Sequence, residues 1–128
     1  MPENNSQEIY EKASFIEQIR MDICSLFDEA VEKANNGQID EAIKVALLAS
    51  DMAAGLPSSS RSPSLYIYGF LAQLYLDIDD KENAELWCYL ARCTLCEYPD
   101  DFNEEDRKLI EDLSMQTQEP EVQETNSN

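Results

Sequence analysis

Tyr68-Gly69-Phe70-Leu71-Ala72-Gln73-Leu74-Tyr75, followed by Asp77-Ile78-Asp79-Asp80 and then Asn83-Ala84-Glu85-Leu86-Trp87-Cys88-Tyr89-Leu90-Ala91, decides the fold. Apolar residues recur at steps of three and four on both sides of an aspartate-rich turn, the period of two helices folded back on each other. Ala72, Ala84 and Ala91 fall where the two backbones come nearest, and the aromatics fill the flanks.

Tyr68, Leu71, Ala72 and Tyr75 on the first helix, with Ala84, Cys88 and Ala91 on the second, resemble a tetratricopeptide (TPR) repeat, a helix–turn–helix unit of about 34 residues. Cys88 stands where an aromatic is usual, and Cys96 holds the place of the pattern's proline, with Pro99 following. A weaker copy lies upstream. Leu26, Ala30, Ala42, Ala46 and Ala49 take the same positions around the turn Asn35-Asn36-Gly37-Gln38. The copies are 42 positions apart, from Ala42 to Ala84, and the excess over a regular array is taken up by Gly55–Ser64, a Pro- and Ser-rich loop. The resemblance implies an all-α fold of antiparallel helical hairpins, about five helices in a short right-handed stack.

Outward from that stretch, residues 7–35 contain no Gly or Pro and carry one apolar stripe (Ile9, Ala13, Ile16, Ile19, Ile23, Leu26, Ala30, Ala34). They read as one long helix or two bent near Met21, whose first half needs a partner within the domain or in a second copy. Further helices are expected over residues 39–54, 64–76 and 81–98, that over 64–76 apolar enough to be central. Pro99 to Asn103 reads as a stop and a cap, and Glu104-Glu105-Asp106 suits the first turn of a fifth helix buried through Leu109, Ile110, Leu113 and Met115. The helical domain is thus expected over residues 7–116, with a disordered N-terminus at 1–6 and a disordered acidic tail at 117–128.

Net charge narrows the function classes. With 27 acids, 9 bases and no histidine, the chain carries −18. Such a field repels nucleic acid and anionic membranes, and no apolar run approaches the roughly 18 residues of a membrane span. A cytoplasmic protein without nucleic-acid or membrane partners is expected. The acids read as a solubilising shell, as an attraction for a basic partner, or as a mimic of DNA's phosphates.

Chemistry finds little to stand on. Without histidine there is no Ser–His or Cys–His pair. Cys88, Cys93 and Cys96 share a predicted helix and Cys24 is remote, unlike the short-spaced pairs on turns that hold zinc. The CxxC at Cys93–Cys96 sits at a helix C-terminus, where the dipole raises a thiol's pKa. All four cysteines are therefore expected as small, buried, reduced core residues. No enzyme, metal or cofactor is expected.

In TPR proteins partners lie in the groove lined by the first helix of each repeat. By that resemblance the groove here is Cys24, Phe27, Val31 and Ala34 with Tyr66, Gly69, Gln73 and Leu76. It lacks the Lys/Arg/Asn set with which TPR adaptors clamp an acidic C-terminus. An apolar groove in an acidic surround implies a non-enzymatic protein–protein interaction adaptor or chaperone that takes a hydrophobic peptide or helix with basic flanks. In size, acidity and groove character the chain is similar to the TPR-type chaperones of bacterial type III secretion. The other two readings are an acidic nucleic-acid-mimic inhibitor of a DNA-binding protein and a homodimeric structural component built on the first helix.

Overall fold

A computed structural model describes the backbone of residues 2–127 and the side chains of residues 6–118. The chain is all-α, with five helices and no strand among the described residues: α1 (Pro2–Asn35), α2 (Ile39–Ala54), α3 (Ser64–Asp77), α4 (Lys81–Glu97) and α5 (Glu104–Ser127). α1 runs through Met21 as one helix. Short 3₁₀ turns at Ser58–Ser60 and Pro99–Asp101 punctuate the two longer connections. α1 folds back on α2 and α3 on α4; α2 then packs on α3, and α5 closes against α4 and α3.

The two hairpin turns are built alike. At the first, Gly37 adopts a left-handed φ of 83°. Its N–H donates to Ala34 O at 3.0 Å, and the N–H of Gln38 donates to Lys33 O at 2.9 Å. At the second, Asp79 takes φ 62°, its N–H donates to Leu76 O, and Asp80 N–H donates to Tyr75 O. Both are the paired end-of-helix bonds that satisfy carbonyls left orphaned by the last turn. The next helices also start alike, with Ala42 N–H on Gln38 O and Ala84 N–H on Asp80 O. Asp80 further caps α4, its Oδ1 accepting from Asn83 N–H at 3.2 Å.

α3 is the central helix, as its composition requires. Ile67, Leu71 and Leu74 join a core built with α1 and α2 around Ala30, Ala42, Ala46 and Ala49. Leu65 and Ala72, on its other side, join Cys88 and Ala91 of α4 and Ile110 and Leu113 of α5. Trp87 packs against both cores, tilted on Tyr68 at 5.7 Å between ring centroids.

The start of α5 is a reciprocal cap. Asn103 Oδ1 accepts from Asp106 N–H at 2.9 Å, and Asp106 Oδ2 accepts from Asn103 N–H at 3.3 Å. Its buried face differs from the sequence expectation. Ile110 and Leu113 are buried, but Leu109 and Met115 are exposed, and Ser114 and Thr117 complete the face instead. Both hydroxyls find partners: Thr117 Oγ1 donates to Ser114 O one turn back, and Ser114 Oγ accepts from Arg92 of α4. Most of the two ends expected to be disordered, residues 1–6 and 117–128, lies outside the described side chains.

At ~1.5 Å per residue α1 is about 51 Å long and α2 about 24 Å. The excess is on the N-terminal side, where every described side chain from Ser6 to Phe15 is exposed. That half of α1 forms an arm beyond the ends of α2 and α3.

Candidate functional site

Where the arm leaves the body, a pocket of about 280 Å³ opens between α1, the 55–63 connection and the start of α3. Ile23, Cys24 and Phe27 of α1 form one wall, with Arg20 and Asp28 at its rim; Tyr66 and Ile67 of α3 form the other; Ala53, Leu56 and Pro63 close the end. Phe27 is fixed by an edge contact with Phe70 of α3, ring centroids 5.2 Å apart.

The wall made by the connection is pinned rather than loose. Arg61 Nε donates to Leu56 O at 2.6 Å, and Tyr98, at the end of α4, donates its hydroxyl to Ser58 O at 2.6 Å. Leu56 itself is buried. A stretch that composition marks as plain loop is therefore tied to α4 and contributes an apolar wall.

Tyr66 is the pocket's exposed aromatic, 44% accessible. Its ring meets Phe102 edge-on at 6.3 Å, and its hydroxyl donates to Asp106 Oδ2 at 3.2 Å. Partial burial, then the Asp106 charge and its hydrogen bond, push the phenol above its usual range. Tyr66 remains a neutral donor.

The groove residues expected from sequence do not form one surface. Phe27 and Tyr66 share the pocket, together with Cys24. Val31 and Ala34 are half-buried further along α1, and Ala34 packs against the α1–α2 core. Gly69 is buried on the opposite side of α3, where a Cβ would stand 3.3 Å from Ile110 Cδ1. Leu76 belongs to that same α3–α4–α5 core. Gln73 is exposed and donates to Asp77 Oδ1 at 3.0 Å. The repeat spacing assigned one face to a helix that α5 divides. Missed by sequence were Ile23, Leu56 and Ile67, and Leu56 carried a signal as the one large apolar residue of its connection.

The cysteines also divide. Cys88 is buried, whereas Cys24, Cys93 and Cys96 are exposed free thiols, contrary to the expectation of four core residues. The reason is register: Cys88 faces α3 and α5 beside Ala84 and Ala91, and Cys93 and Cys96 fall off that face. Among the described residues no three metal-ligating side chains converge.

Burial raises the Cys88 thiol above its usual 9.0, against opposing help to the thiolate from Ser114 and Arg92. Tyr75 is raised above 10.0 by burial and then by Asp80. As pH climbs past 9 the unfolded chain ionises first at these positions, so folding stability present below that pH is lost above it. We expect the urea midpoint to fall between about pH 8 and pH 10, and to fall less in Cys88→Ala.

Acids are exposed on all five helices, and the bases do little to offset them. Only two ion pairs occur among the described residues, Arg20–Glu17 at 4.0 Å and Lys44–Glu41 at 3.7 Å, both on the surface. Arg61 and Arg107 are engaged with the carbonyls of Leu56 and Pro99. No described helix is long and apolar enough to cross a membrane. No protein-family model matches the chain, and neither does any curated protein or solved structure compared with it.

Proposed function

We propose that the chain is a non-enzymatic adaptor or chaperone of TPR-like build, holding an apolar segment of a protein partner whose flanks are basic. The observation that carries this reading is the apolar pocket at the root of α1, set in a molecule of net charge −18 with few ion pairs. An apolar anchor recognises the pocket and cationic flanks recognise the surround, the division of labour common in peptide-in-groove recognition. The TPR-like build is supported by the paired turns, where Gly37 and Asp79 take equivalent roles at the 42-residue offset that relates Ala42 to Ala84. Three exposed thiols suit a reducing, cytoplasmic setting. Charge mimicry of nucleic acid draws no support from acids scattered over every helix.

Tyr66 gives the cleaner test than Phe27, which packs on Phe70. A photo-crosslinker attached at Cys24 of Cys93→Ser/Cys96→Ser protein should capture the partner in a host extract. Capture should drop at least tenfold in Tyr66→Asp, with the circular dichroism spectrum unchanged. If the partner is retained by Tyr66→Asp but released by about 0.5 M salt, the acidic shell holds it and the pocket reading fails.

A further inference from the structure

The walls of the pocket at the root of α1 limit what kind of segment can lie in it. Between Arg20 and Asp28 the α1 wall is Ile23, Cys24 and Phe27, and the facing wall is Tyr66 and Ile67. The hydroxyl of Tyr66 is already engaged with Asp106. The first turn of α3 offers no free donor either: the N–H groups of Ser64, Leu65 and Tyr66 donate to the carbonyls of Arg61, Ser62 and Pro63. Ser60 and Ser64 supply the remaining hydroxyls of the lining, and both belong to the end where the connection enters α3. We propose that the partner segment is an amphipathic α-helix laid along the mouth of the pocket, its basic residues gathered at one end, beside Asp28, with none at the end beside Arg20. This rests on the adaptor reading above and names the partner's form and charge order.

Backbone chemistry selects the helix. Arg20 and Asp28 stand about 12 Å apart along α1. An extended segment crosses that span in about four residues, each bringing an N–H and a C=O that these walls cannot satisfy. A helix crosses it in about two turns with those groups paired internally. Its side chains at i and i+4 leave one face and enter the pocket's volume of about 280 Å³ together.

Charge selects the order of the ends. Arg20 lies 15 residues before the end of α1, and Ala54 lies 15 residues after the start of α2. Folded back on each other, the two helices bring the 55–63 connection level with Arg20. Arg61 is fixed there by its bond to Leu56 O. Against these two bases stands Glu17, 4.0 Å from Arg20 in an exposed pair, so this end of the pocket is net positive. At the other end Asp28 and, one turn on, Glu32 are exposed and enter no ion pair among the described residues. Asp106 lies across the pocket on the α5 side, held by Tyr66. A base on the partner is therefore drawn to the Asp28 end and repelled at the Arg20 end, a local reversal in a chain of −18.

Fluorescence anisotropy with synthetic peptides at physiological ionic strength tests both choices. The probes are labelled amphipathic peptides of about 16 residues with leucines at i and i+4 and four lysines, either grouped at one end or split between the two. Composition and net charge are the same, so the general field of the protein favours neither. The one-ended peptide should bind at least threefold more tightly. Arg20→Glu should remove or reverse that preference, and Tyr66→Asp should weaken both peptides at least tenfold. A proline at the centre of the one-ended peptide should also weaken it at least tenfold, because it breaks the helix. Equal binding of the two lysine arrangements, or a preference that survives Arg20→Glu, overturns the charge order. Undiminished binding of the proline peptide overturns the helix. In both cases release by Tyr66→Asp would leave the adaptor reading standing. Failure of every peptide to bind below about 1 mM, or binding indifferent to Tyr66→Asp, overturns the adaptor reading and this inference with it.

Discussion

Leu71→Ala should lower the stability of the fold by about 3 kcal/mol, within the usual 2–5 kcal/mol for a fully buried leucine. Leu71 has no accessible surface and sits on the central helix, where the α1–α2 core meets α3. Its neighbours Ala30, Ala42, Ala46 and Ala49 carry only methyl side chains and cannot reach across to refill the space. A domain of this size holds about 5–15 kcal/mol in total, so the loss is visible as a large fall in the urea midpoint. Leu86→Ala provides the contrast. That side chain is half exposed on α4, and its removal should cost about 0.5 kcal/mol or less. Equal losses in the two variants would show that α3 is not the packing centre.

Salt should stabilise this protein by about 2 kcal/mol between 0.01 and 0.5 M, because screening shortens the reach of repulsion from about 30 Å to less than 10 Å. Two like charges 10 Å apart in water repel by about 0.4 kcal/mol. The 27 acids have many such neighbours, and among the described residues only the two surface ion pairs given above offset them. The unfolded chain repels itself too, which reduces the net effect to a fraction of the sum. Thermal melts across a sodium chloride series would check it. A midpoint that stayed flat or fell with salt would mean that the surface holds attractive networks absent from the geometry.

Much of the fold was legible because its boundaries rest on local chemistry. Gly37 ends α1 with a left-handed turn, Asp80 caps α4 and Asn103 caps α5; each is a short-range preference that a sequence displays openly. The centrality of α3 was legible from its apolar residues on every side. The face of α5 was not. Leu109 and Met115 are as apolar as Leu113, and only the docking angle against α3 and α4 decides that Ser114 and Thr117 go inward instead. The pocket was half legible for a related reason. Phe27 and Tyr66 come together as the repeat spacing implies, but Gly69 is covered by α5, an element that a repeat pattern does not contain, and Leu76 is drawn into the α3–α4–α5 core. Gly69 held the clue: a glycine inside an apolar helix marks close approach by another element.

Pairing between neighbours in sequence has a consequence during synthesis. α1 contacts α2 most, α3 contacts α4 most, and α5 is added last, so a chain emerging from a ribosome can form its first hairpin before the central helix exists. In that interval Ile23 and Phe27, later shielded in part by Ile67 and Phe70, face solvent along with Ile9 and Phe15 of the arm. The nascent first hairpin is therefore the most adhesive form the protein takes. A pause that holds the chain with Leu56 just clear of the ribosome should raise its aggregation more than one with Tyr98 just clear, by which point Tyr98 can reach Ser58 and α3 has covered the hairpin.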